Sequence, residues 1–411
     1  MKFEDYSFAP VIKKNIALAG FTRPTDIQYK AIPPILRGED VLAIAQTGTG
    51  KTAAFVLPVL DKLIADRDAD KGIRCLVMEP TRELALQITD VFNSMGRGSR
   101  IKTLCVHGGV EQYPQIQRLE KGIDILVATP GRMFDLISQG HITTAQVQIL
   151  ILDEADHMLD LGFIHDIRQL IRLLPRERQT LFFSATINAE IKKLAYSLVK
   201  NAIRIQISPK DPVSKNVDHS VAFIAMDDKR FFLERIVNQH PESRILVFVR
   251  TKVRAGRVSE AMNRVGIACL TMHGDIDQKE RISTLKKFRD GEFKVLVATD
   301  VSARGIDIAG VEFVVNYDLP EQPENYVHRV GRTGRGNKRG LAVSFCSPEE
   351  RPLLEAIETY TGNEIGRIEF SKSDYQATLD LTAEVKSDWK SLVAEAEAEE
   401  ERRRKKGKKK F

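Results

Sequence analysis

Short apolar runs alternate with longer amphipathic stretches along most of the chain. Each run is rich in β-branched residues, is bounded by turn residues and is usually followed by a helical pattern of apolar positions. Strands that alternate with helices are typical of βαβ units, which form a parallel sheet with right-handed crossovers. In the first half the pattern predicts strands at Val41–Ala45, Cys75–Glu79, Thr103–Val106, Ile125–Ala128, Ile149–Leu152 and Thr180–Phe183, with helices between them such as Ala53–Ile64 and Leu84–Met95.

The alternation lapses once, in a polar segment with two prolines, and then begins again. This segment, residues 208–216, is predicted to be a linker. We therefore expect an α/β protein with two tandem, doubly wound parallel-sheet domains, one over residues 1–207 and one over residues 217–365. The strands of the second domain are predicted at Val221–Ala225, Ile245–Val249, Cys269–Met272, Val295–Ala298, Phe313–Asn316 and Leu341–Phe345.

Residues 366–411 do not continue this pattern. Lys372–Val393 is weakly amphipathic, Glu395–Glu401 contains five acids, and residues 402–411 carry eight positive charges. Because the segment cannot build a core, we expect an appended helix followed by a largely solvated basic tail. Without those eight charges the net charge of +6 becomes −2, so a nucleic acid would have to be bound by locally placed groups.

Composition excludes several classes of protein. The chain has 411 residues, 43% hydrophobic and 29% charged, as in ordinary globular domains. No apolar run approaches the roughly 18 residues of a membrane span, and Met1–Asp5 does not begin a signal peptide. The four cysteines are far apart and lack the spacing of zinc or redox sites, so we expect buried thiols in the reducing cytoplasm. They are Cys75, Cys105, Cys269 and Cys346.

The first strand leads through AQTGTGKT into a helix, as in phosphate-binding loops. Gly48 and Gly50 allow backbone N–H groups to approach phosphate oxygens, Lys51 supplies a positive charge, and Thr52 offers a hydroxyl to Mg²⁺. Ala45 stands where the stricter pattern has its first glycine, and the alternative is a glycine-rich turn with a solvated lysine. The predicted nucleotide contacts are Ala45, Gln46, Thr47, Gly48, Thr49, Gly50, Lys51 and Thr52.

The sequence DEAD, Asp153–Asp156, follows the apolar run of the fifth predicted strand. Asp153 can hold Mg²⁺ against the phosphates, directly or through a water, and Glu154 can polarise or deprotonate an attacking water. Acids after a strand also serve as helix caps. Downstream of a phosphate-binding loop, however, a catalytic role is the stronger interpretation.

These motifs, with several others in the same order, resemble the DEAD-box ATP-dependent RNA helicase family over nearly all of residues 1–350. The resemblance implies two RecA-like domains, ATP and Mg²⁺ as ligands, and RNA-stimulated ATP hydrolysis. Met158–Ile167 and the short N-terminus are most similar to the bacterial RNA helicase E-like subgroup. The further motifs are GFTRPTDIQ (Gly20–Gln28), PTRELA (Pro80–Ala85), Gly108-Gly109, TPGR (Thr129–Arg132), SAT (Ser184–Thr186), VFVRT (Val247–Thr251), QKER (Gln278–Arg281), ATDVSARGID (Ala298–Asp307) and HRVGRTGR (His328–Arg335).

The resemblance assigns the adenine to the N-terminal motif. The amide of Gln28 would pair with the adenine edge and thereby favour ATP over GTP, while Phe21 would stack on the ring. Phe3 resembles the isolated upstream aromatic residue of the family, and Phe8 competes for that role. The alternative for both Phe3 and Phe8 is core packing.

Across the cleft, the second domain would complete the ATP site. Arg329, Arg332 and Arg335 are predicted to share one face at the start of a helix. By resemblance, Arg332 and Arg335 reach the γ-phosphate, which guanidinium groups suit better than lysine does. Gly305 and Asp307 would contact the nucleotide, Asp307 through a ribose hydroxyl. The predicted catalytic residues are Lys51, Asp153, Glu154, Arg332 and Arg335.

The resemblance also predicts coupling residues and a path for RNA. His328 and the SAT residues Ser184, Ala185 and Thr186 would couple the domains, and the lesser alternative for His328 is a core histidine. The alternative to RNA contact for Gly109, Gly131 and Gly274 is that each glycine serves a tight turn. Phosphate contacts carry little sequence information, so binding should be directed at the RNA backbone. The predicted RNA contacts are Pro80, Thr81, Arg82, Gly108, Gly109, Thr129, Pro130, Gly131, Arg132, Arg250, Gly274, Gln278, Arg281, Thr299 and Asp300.

The energetics favour local, non-processive strand separation. A coupling of about 1–3 kcal/mol between sites is typical, whereas a base-pair step costs about 1.4 kcal/mol, so one closure separates few pairs. Two alternatives stay open: an ATP-dependent RNA clamp with incidental turnover, and a DNA-unwinding relative. We expect a monomer that binds RNA and no membrane. The sequence does not show whether ribosome-assembly or RNA-decay proteins are partners, or whether the basic tail is merely solvated or tethers RNA.

Overall fold

The computed structural model describes residues 2–46, 48–66, 72–207, 213, 216–300, 308, 310–334 and 339–380, with the backbone alone for residues 278 and 279. These residues form two α/β domains, each built on a parallel sheet of seven strands. Apolar side chains from both faces of each sheet pack under helices. The predicted pair of doubly wound domains is therefore confirmed.

The N-terminal domain begins with a short 3-10 helix at Phe3–Asp5. Its strands lie in the order β3-β4-β2-β5-β6-β1-β7. In chain order the elements are α1 Pro10–Leu18, α2 Asp26–Leu36, β1 Val41–Ala45, α3 Lys51–Ala65, β2 Cys75–Met78, α4 Arg82–Met95, β3 Thr103–Val106, α5 Tyr113–Glu120, β4 Ile125–Ala128, α6 Pro130–Ser138, β5 Ile149–Leu152, α7 Ala155–Asp160, α8 Ile164–Leu173, β6 Gln179–Ser184, α9 Ala189–Leu198 and β7 Ile203–Ile207.

The C-terminal domain repeats this design with the strand order β10-β11-β9-β12-β13-β8-β14. Its elements are β8 Val217–Phe223, α10 Lys229–Gln239, β9 Ile245–Val249, α11 Lys252–Arg264, β10 Cys269–Met272, α12 Gln278–Arg289, β11 Val295–Thr299, β12 Phe313–Asn316, α13 Pro323–Val330, β13 Gly340–Cys346, α14 Arg351–Thr361 and β14 Gly366–Ile368, with a 3-10 helix at Pro348–Glu350 before α14.

The central strands are buried on both faces, as their nearly continuous apolar sequences predict. Along β1, Val41, Ala43 and Ala45 pack on the side of α1–α4, and the alternating Leu42 and Ile44 pack on the side of α5–α9. A strand that is apolar on both faces must lie in the middle of the sheet, and β1 does lie between β6 and β7. Loops that follow such strands emerge at one well-fixed edge.

The strand order determines which loops meet at that edge. The phosphate-binding loop follows β1, the SAT residues close β6 and the DEAD residues follow β5, and these three strands are consecutive in the sheet. The loops after β2, β3 and β4, which contain the predicted RNA contacts, occupy the adjoining half of the same edge. The topology therefore places an ATP half beside an RNA half.

The structure corrects several boundaries. Strands β7 and β14 are absent from the prediction, because each is an edge strand with few buried residues. Strand β8 begins at Val217, four positions before the predicted start, and the strand predicted to reach Glu79 ends at Met78. The C-terminal domain also extends past residue 365, since β14 joins its sheet through β8.

The segment after β14 is less solvated than predicted. Residues 372–380 are helical, and Tyr375 lies 4.9 Å from Phe232 of α10, ring centre to ring centre. The Tyr375 hydroxyl donates a hydrogen bond to Asp228, while Phe370 covers Phe232 from another side. These aromatic contacts attach the segment to the C-terminal domain. The predicted basic tail and most of the predicted linker lie outside the described residues.

Candidate ATP and RNA site

The phosphate-binding loop has a backbone that depends on glycine. Gly48 and Gly50 have φ values of 84° and 93°, and Gly50 is the N-cap of α3. L-residues with a side chain rarely adopt this left-handed region. A Cβ at Gly50 would come within 2.5 Å of Gln28 Nε2, so the loop also packs too closely for any other residue. Thr49 Oγ1 closes the loop by donating to the carbonyl of Gln46.

Lys51 and the first two DEAD acids form a buried charged cluster at this edge. Lys51 Nζ lies 2.8 Å from Glu154 Oε1, and both side chains are less than a tenth exposed. Burial alone would lower the pKa of Lys51, but Glu154, Asp153 and Asp156 together outweigh it and raise the pKa. Burial alone would raise the pKa of Glu154, but the ion pair with Lys51 lowers it to about 2. The pair is therefore ionised at neutral pH.

Asp153 differs from its neighbour. Burial raises its pKa to about 7, against the lowering effect of Lys51. Its Oδ1 accepts a hydrogen bond from the N–H of Glu154, which itself has a φ of 48°. A left-handed non-glycine residue is strained, and such strain is commonly found at functional sites. The raised pKa of Asp153 means that its carboxylate lacks sufficient positive charge nearby.

This cluster fits the Mg²⁺ that the resemblance implies. A carboxylate short of positive charge, close to a threonine at the start of α3, is suited to an ion that usually takes one or two carboxylates plus phosphate oxygens. Asp153 and Thr52 would hold the ion. Within the described residues there is no group of three or more His, Cys, Asp or Glu side chains arranged to hold a metal by themselves.

Sequence reasoning missed a third buried acid. Glu79, directly after β2, is fully buried, and neither carboxylate oxygen has a hydrogen-bond partner among the described residues. Burial is the main cause that raises its pKa well above the usual value, and Asp153 and Glu154 add to the effect. Glu79 lies beside Asp153 because β2 and β5 are neighbours. Its position before PTRELA was the only available signal.

The last DEAD residue binds the SAT motif. Asp156 Oδ2 accepts hydrogen bonds from the N–H and the hydroxyl of Thr186, at 2.9 and 3.1 Å. Ser184 donates from its hydroxyl to the carbonyl of Thr186. The structure thus brings Ser184, Ala185 and Thr186 against the ATP half of the edge, and their coupling role stays a prediction.

Gln28, which is predicted to read adenine, lies against the phosphate-binding loop. Gln28 Nε2 donates to the carbonyl of Gly50, and its Oε1 accepts from the N–H of Thr25, so part of the amide is used within the protein. Phe21 is 40% exposed and stacks on Phe3, with ring centres 6.0 Å apart. Phe3 and Phe8 are both buried, which agrees with the core-packing alternative. A cavity of about 260 Å³ opens beside Phe3 and Phe21.

The two domains meet at this edge. Arg281 Nε of the C-terminal domain lies 2.8 Å from Glu83 Oε1 of the N-terminal domain. His328 is close enough to Glu154 to contribute to lowering its pKa. A cavity of about 310 Å³ is lined by α7 residues, including His157, and by C-terminal residues such as Thr299. The predicted RNA contact Arg281 is thus engaged, at least through Nε, in holding the domains together.

Arg329 and Arg332 do not share a helix face, in contrast to the prediction. Helix α13 ends at Val330, because Gly331 caps it, so Arg332 lies beyond the helix and its Nε donates to the carbonyl of His328. Arg329 is buried and its guanidinium binds both carboxylate oxygens of Asp300. Asp300, predicted to contact RNA, therefore serves to anchor Arg329.

The predicted RNA contacts gather as the topology requires. Arg82 lies over Gly109, whose φ of 75° fits the turn alternative and where a Cβ would overlap the guanidinium. Arg132 Nη2 donates to the carbonyl of Val110. Gly131 lies in the first turn of α6, and Gly274 lies in a turn that the N–H of Ile276 closes by donating to the carbonyl of His273; neither has a positive φ, and an added Cβ at either would meet nothing within 4 Å. Pro80, Thr81, Gly108, Thr129 and Pro130 lie in the same loops and helix starts.

In the C-terminal domain, Arg250 is part of a charged network that the sequence did not reveal. Its Nη2 donates to Glu350, and its N–H donates to Asp318. Glu350 and Asp318 also surround Lys229, whose side chain is fully buried. Thr47, Gly305, Asp307 and Arg335 lie outside the described residues, as does the side chain of Gln278, so the geometry of these predicted contacts is not described.

Helices of the described residues are too short or too polar to cross a bilayer.

Two family models match the chain: DEAD/DEAH box helicase over residues 25–194 and Helicase conserved C-terminal domain over residues 228–337. The DEAD-box ATP-dependent RNA helicase CshA of Bacillus subtilis is 40% identical over 89% of this chain and 74% of its own. CshA of Geobacillus kaustophilus is 39% identical over 89% of this chain and 78% of its own.

Solved structures agree with this assignment. S. cerevisiae Dbp5 bound to RNA and ADP BeF3 matches with a TM-score of 0.81 and 31% identity over 92% of this chain and 98% of its own. Mss116p bound to ssRNA and AMP-PNP matches with a TM-score of 0.82 and 27% identity over 96% of this chain and 86% of its own. A DEAD box protein from Methanococcus jannaschii matches with a TM-score of only 0.53, although it is 34% identical over 90% of this chain and 99% of its own. The chain belongs to the DEAD-box ATP-dependent RNA helicases.

Proposed function

We propose that the chain hydrolyses ATP at a site that both domains complete, and that RNA bound across the same junction stimulates hydrolysis. The observation that carries this proposal is the buried Lys51–Glu154 pair, with His328 of the other domain beside it. The N-terminal domain would supply the phosphate-binding loop and the acids. The C-terminal domain would supply Arg332 and Arg335.

The ion pair suggests how the base becomes active. While Lys51 holds Glu154, the low pKa of that carboxylate makes it a poor proton acceptor. When Lys51 turns to the phosphates of ATP, Glu154 loses its partner and its pKa rises. The carboxylate can then accept a proton from a water that attacks the γ-phosphorus, as the bond to the β-phosphate oxygen breaks and ADP leaves. Mg²⁺ held by Thr52 and Asp153 would supply positive charge to the phosphates.

RNA would lie over the loops after β2, β3 and β4 and over the corresponding loops after β9, β10 and β11. Open space at Gly131 and Gly274 leaves room for a sugar-phosphate backbone to approach. Closure over a strand would separate a few base pairs, and phosphate release would reopen the junction. We place this monomer in the cytoplasm, in keeping with its four free thiols. The helicase E-like subgroup stays a prediction.

The test is the variant Glu154→Gln. It keeps the size of the side chain but cannot accept the proton, so we expect ATP turnover to fall by about 10²- to 10⁴-fold. Binding of AMP-PNP and of RNA should persist. The matched control is Glu120→Gln, an exposed residue of α5, which should leave turnover unchanged.

Steady-state ATPase is measured without nucleic acid and with single-stranded RNA, duplex RNA and matched DNA. RNA should stimulate wild-type turnover and DNA should not. Near-normal turnover in Glu154→Gln would refute the assigned base, equal stimulation by DNA would refute the sugar preference, and wild-type turnover indifferent to RNA would favour the clamp alternative.

A further inference from the structure

A second basic site lies on the C-terminal domain, away from the ATP half of the junction. It is a cleft of about 410 Å³ between the start of α10, one face of α11 and the residue after β12. Four arginines line it, against two acids, Asp227 and Glu260. We call it the arginine cleft, and its arginines are Arg230, Arg254, Arg257 and Arg264.

Two of the arginines are already engaged. Arg254 Nε lies 2.8 Å from Asp318 Oδ1, and its guanidinium lies 5.5 Å from the ring centre of Tyr317. Arg264 forms a pair with Glu260 at 3.6 Å, but both side chains are about two-thirds exposed, so water competes strongly for the pair.

The other two keep their charge exposed. Arg230 and Arg257 are exposed, and within the described residues neither makes an ion pair, although the guanidinium of Arg230 lies 4.5 Å from the ring centre of Phe231. Exposed guanidinium groups that converge on one concavity favour an anionic ligand, and their planar fork suits phosphate oxygens best. The apolar side chains Val258 and Tyr317 are buried in the wall of the cleft, so the cleft lacks the exposed anchors that a protein partner usually needs.

The arginine cleft is continuous with a predicted RNA contact. Asp318 accepts the N–H of Arg250 on one carboxylate oxygen and pairs with Arg254 on the other. Arg250 directly precedes the N-cap of α11 and Arg254 lies in its first turn, so a strand that touches Arg250 has the arginine cleft close by. We propose that the arginine cleft binds the phosphate backbone of the RNA strand where it leaves the junction of the domains; this proposal rests on the RNA contact proposed at Arg250.

The test is the double variant Arg230→Glu/Arg257→Glu. Both residues are exposed, so the fold should be retained, which circular dichroism checks. The matched control is Lys286→Glu/Arg289→Glu, which makes the same charge change on exposed residues in the last turns of α12. Affinity for single-stranded RNAs of increasing length is measured by fluorescence anisotropy with AMP-PNP at several salt concentrations.

We expect the variant to lose about tenfold or more in affinity for long RNA, and its salt slope to fall by about 0.7 for each phosphate contact removed. The loss should grow with RNA length, and the control should behave as wild type. An equal loss at every length, or no loss, would overturn the proposal. If wild type itself fails to bind RNA in the presence of AMP-PNP, the proposed function fails together with the arginine cleft, whereas normal wild-type binding with an unaffected variant rejects the arginine cleft alone.

Two probes separate other anions from RNA. Inorganic tripolyphosphate, titrated calorimetrically, should bind wild type weakly and the variant more weakly still. Tight tripolyphosphate binding with unchanged RNA affinity in the variant would assign the arginine cleft to a small soluble polyphosphate and overturn the RNA assignment. Binding of polyglutamate without binding of tripolyphosphate would indicate an acidic protein partner and would overturn it as well.

Discussion

At the residue scale, Glu79 stands out because it lies between the RNA half and the ATP half of the sheet edge. The next residue begins PTRELA, and the neighbouring strand ends in Asp153. A buried carboxyl without partners is tolerated mainly in its neutral form. Its pKa in the folded protein is raised chiefly by burial, so the folded state holds this proton to higher pH than the unfolded state does.

This predicts a stability that falls with pH. The contribution of Glu79 is fully favourable below its unfolded pKa and is lost as pH rises toward the raised folded pKa. Glu79→Gln should therefore match wild type near pH 4 and become more stable than wild type as pH rises, by about 1.4 kcal/mol per unit of raised pKa. Urea unfolding followed by circular dichroism over a pH series measures this. A constant difference between variant and wild type at all pH values would contradict it.

A second prediction concerns Gly50. Gly50→Ala places a methyl group against Gln28 at a φ of 93°, so it should lower thermal stability and weaken AMP-PNP binding. The strain alone costs about 1–2 kcal/mol. Gly131→Ala is the control, because its Cβ would meet nothing within 4 Å and its φ is not positive. That variant should keep its stability, and a loss of stability equal to that of Gly50→Ala would contradict the stated reason.

The residue types of the site were readable from the sequence, but their partners were not. Lys51, Asp153 and Glu154 follow strands that the topology makes near neighbours, so their meeting was predictable. The use of Asp300 to anchor Arg329 was not predictable, because the resemblance assigns Asp300 to RNA and the spacing places Arg329 on a helix face with Arg332. Only side-chain packing decides whether a charged residue faces a ligand or another residue.

At the element scale, Lys229 joins three elements of the C-terminal domain. It begins α10, donates to the carbonyl of Tyr317 after β12, and binds Glu350 at the start of α14. Burial is the main cause that lowers the pKa of Lys229, and Glu350 opposes it. Glu350 also binds Arg250, so the network that fixes the elements also positions a predicted RNA contact.

Glu350→Ala should therefore lower the stability of the C-terminal domain and also release Arg250, a predicted RNA contact. Leaving a buried ammonium without its carboxylate costs about 3–5 kcal/mol. Replacing both partners, as in Lys229→Met/Glu350→Leu, should cost less than Glu350→Ala alone. Thermal melts measure the stability, and RNA titrations at a temperature where the variants are folded report the freed Arg250. Glu355→Ala, an exposed position of α14, is the control, and an equal loss there would contradict the network.

Element prediction succeeded for the central strands and for the edge strands β3 and β10, and it failed at the edge strands β7 and β14. Strands β1, β5 and β9 have the predicted bounds, because so short and so apolar a run between turn residues is typical of a buried strand. Strand β7 reads IRIQI, with Ile203 40% exposed, and its pairing depends on β1 alone. The hydrophobic pattern of such a strand is too weak to separate from a loop, and only long-range pairing defines it.

At the scale of the whole molecule, the structure has its two domains in contact. Its TM-scores are 0.81 and 0.82 with relatives bound to RNA and to nucleotide analogues, against 0.53 with the Methanococcus jannaschii protein. Among the described residues, an ion pair between Glu83 and Arg281, both nearly buried, joins the two domains directly. Because Glu83 belongs to PTRELA and Arg281 to QKER, a contact that favours closure lies within two motifs predicted to touch RNA.

Reversing this pair tests whether it favours closure. Glu83→Arg would set three arginines together, since Arg82 is already near Arg281, and the repulsion should raise the RNA concentration needed for half-maximal ATPase by about tenfold. Arg281→Glu should act in the same direction. The swap Glu83→Arg/Arg281→Glu restores opposite charges and should recover much of the loss, with a coupling energy of about 1–3 kcal/mol in the double-mutant cycle. Small-angle X-ray scattering with AMP-PNP and RNA should show compact wild type and swap but expanded single variants. Additive losses in the swap would mean that each residue acts on RNA separately and that the ion pair does not hold the domains together.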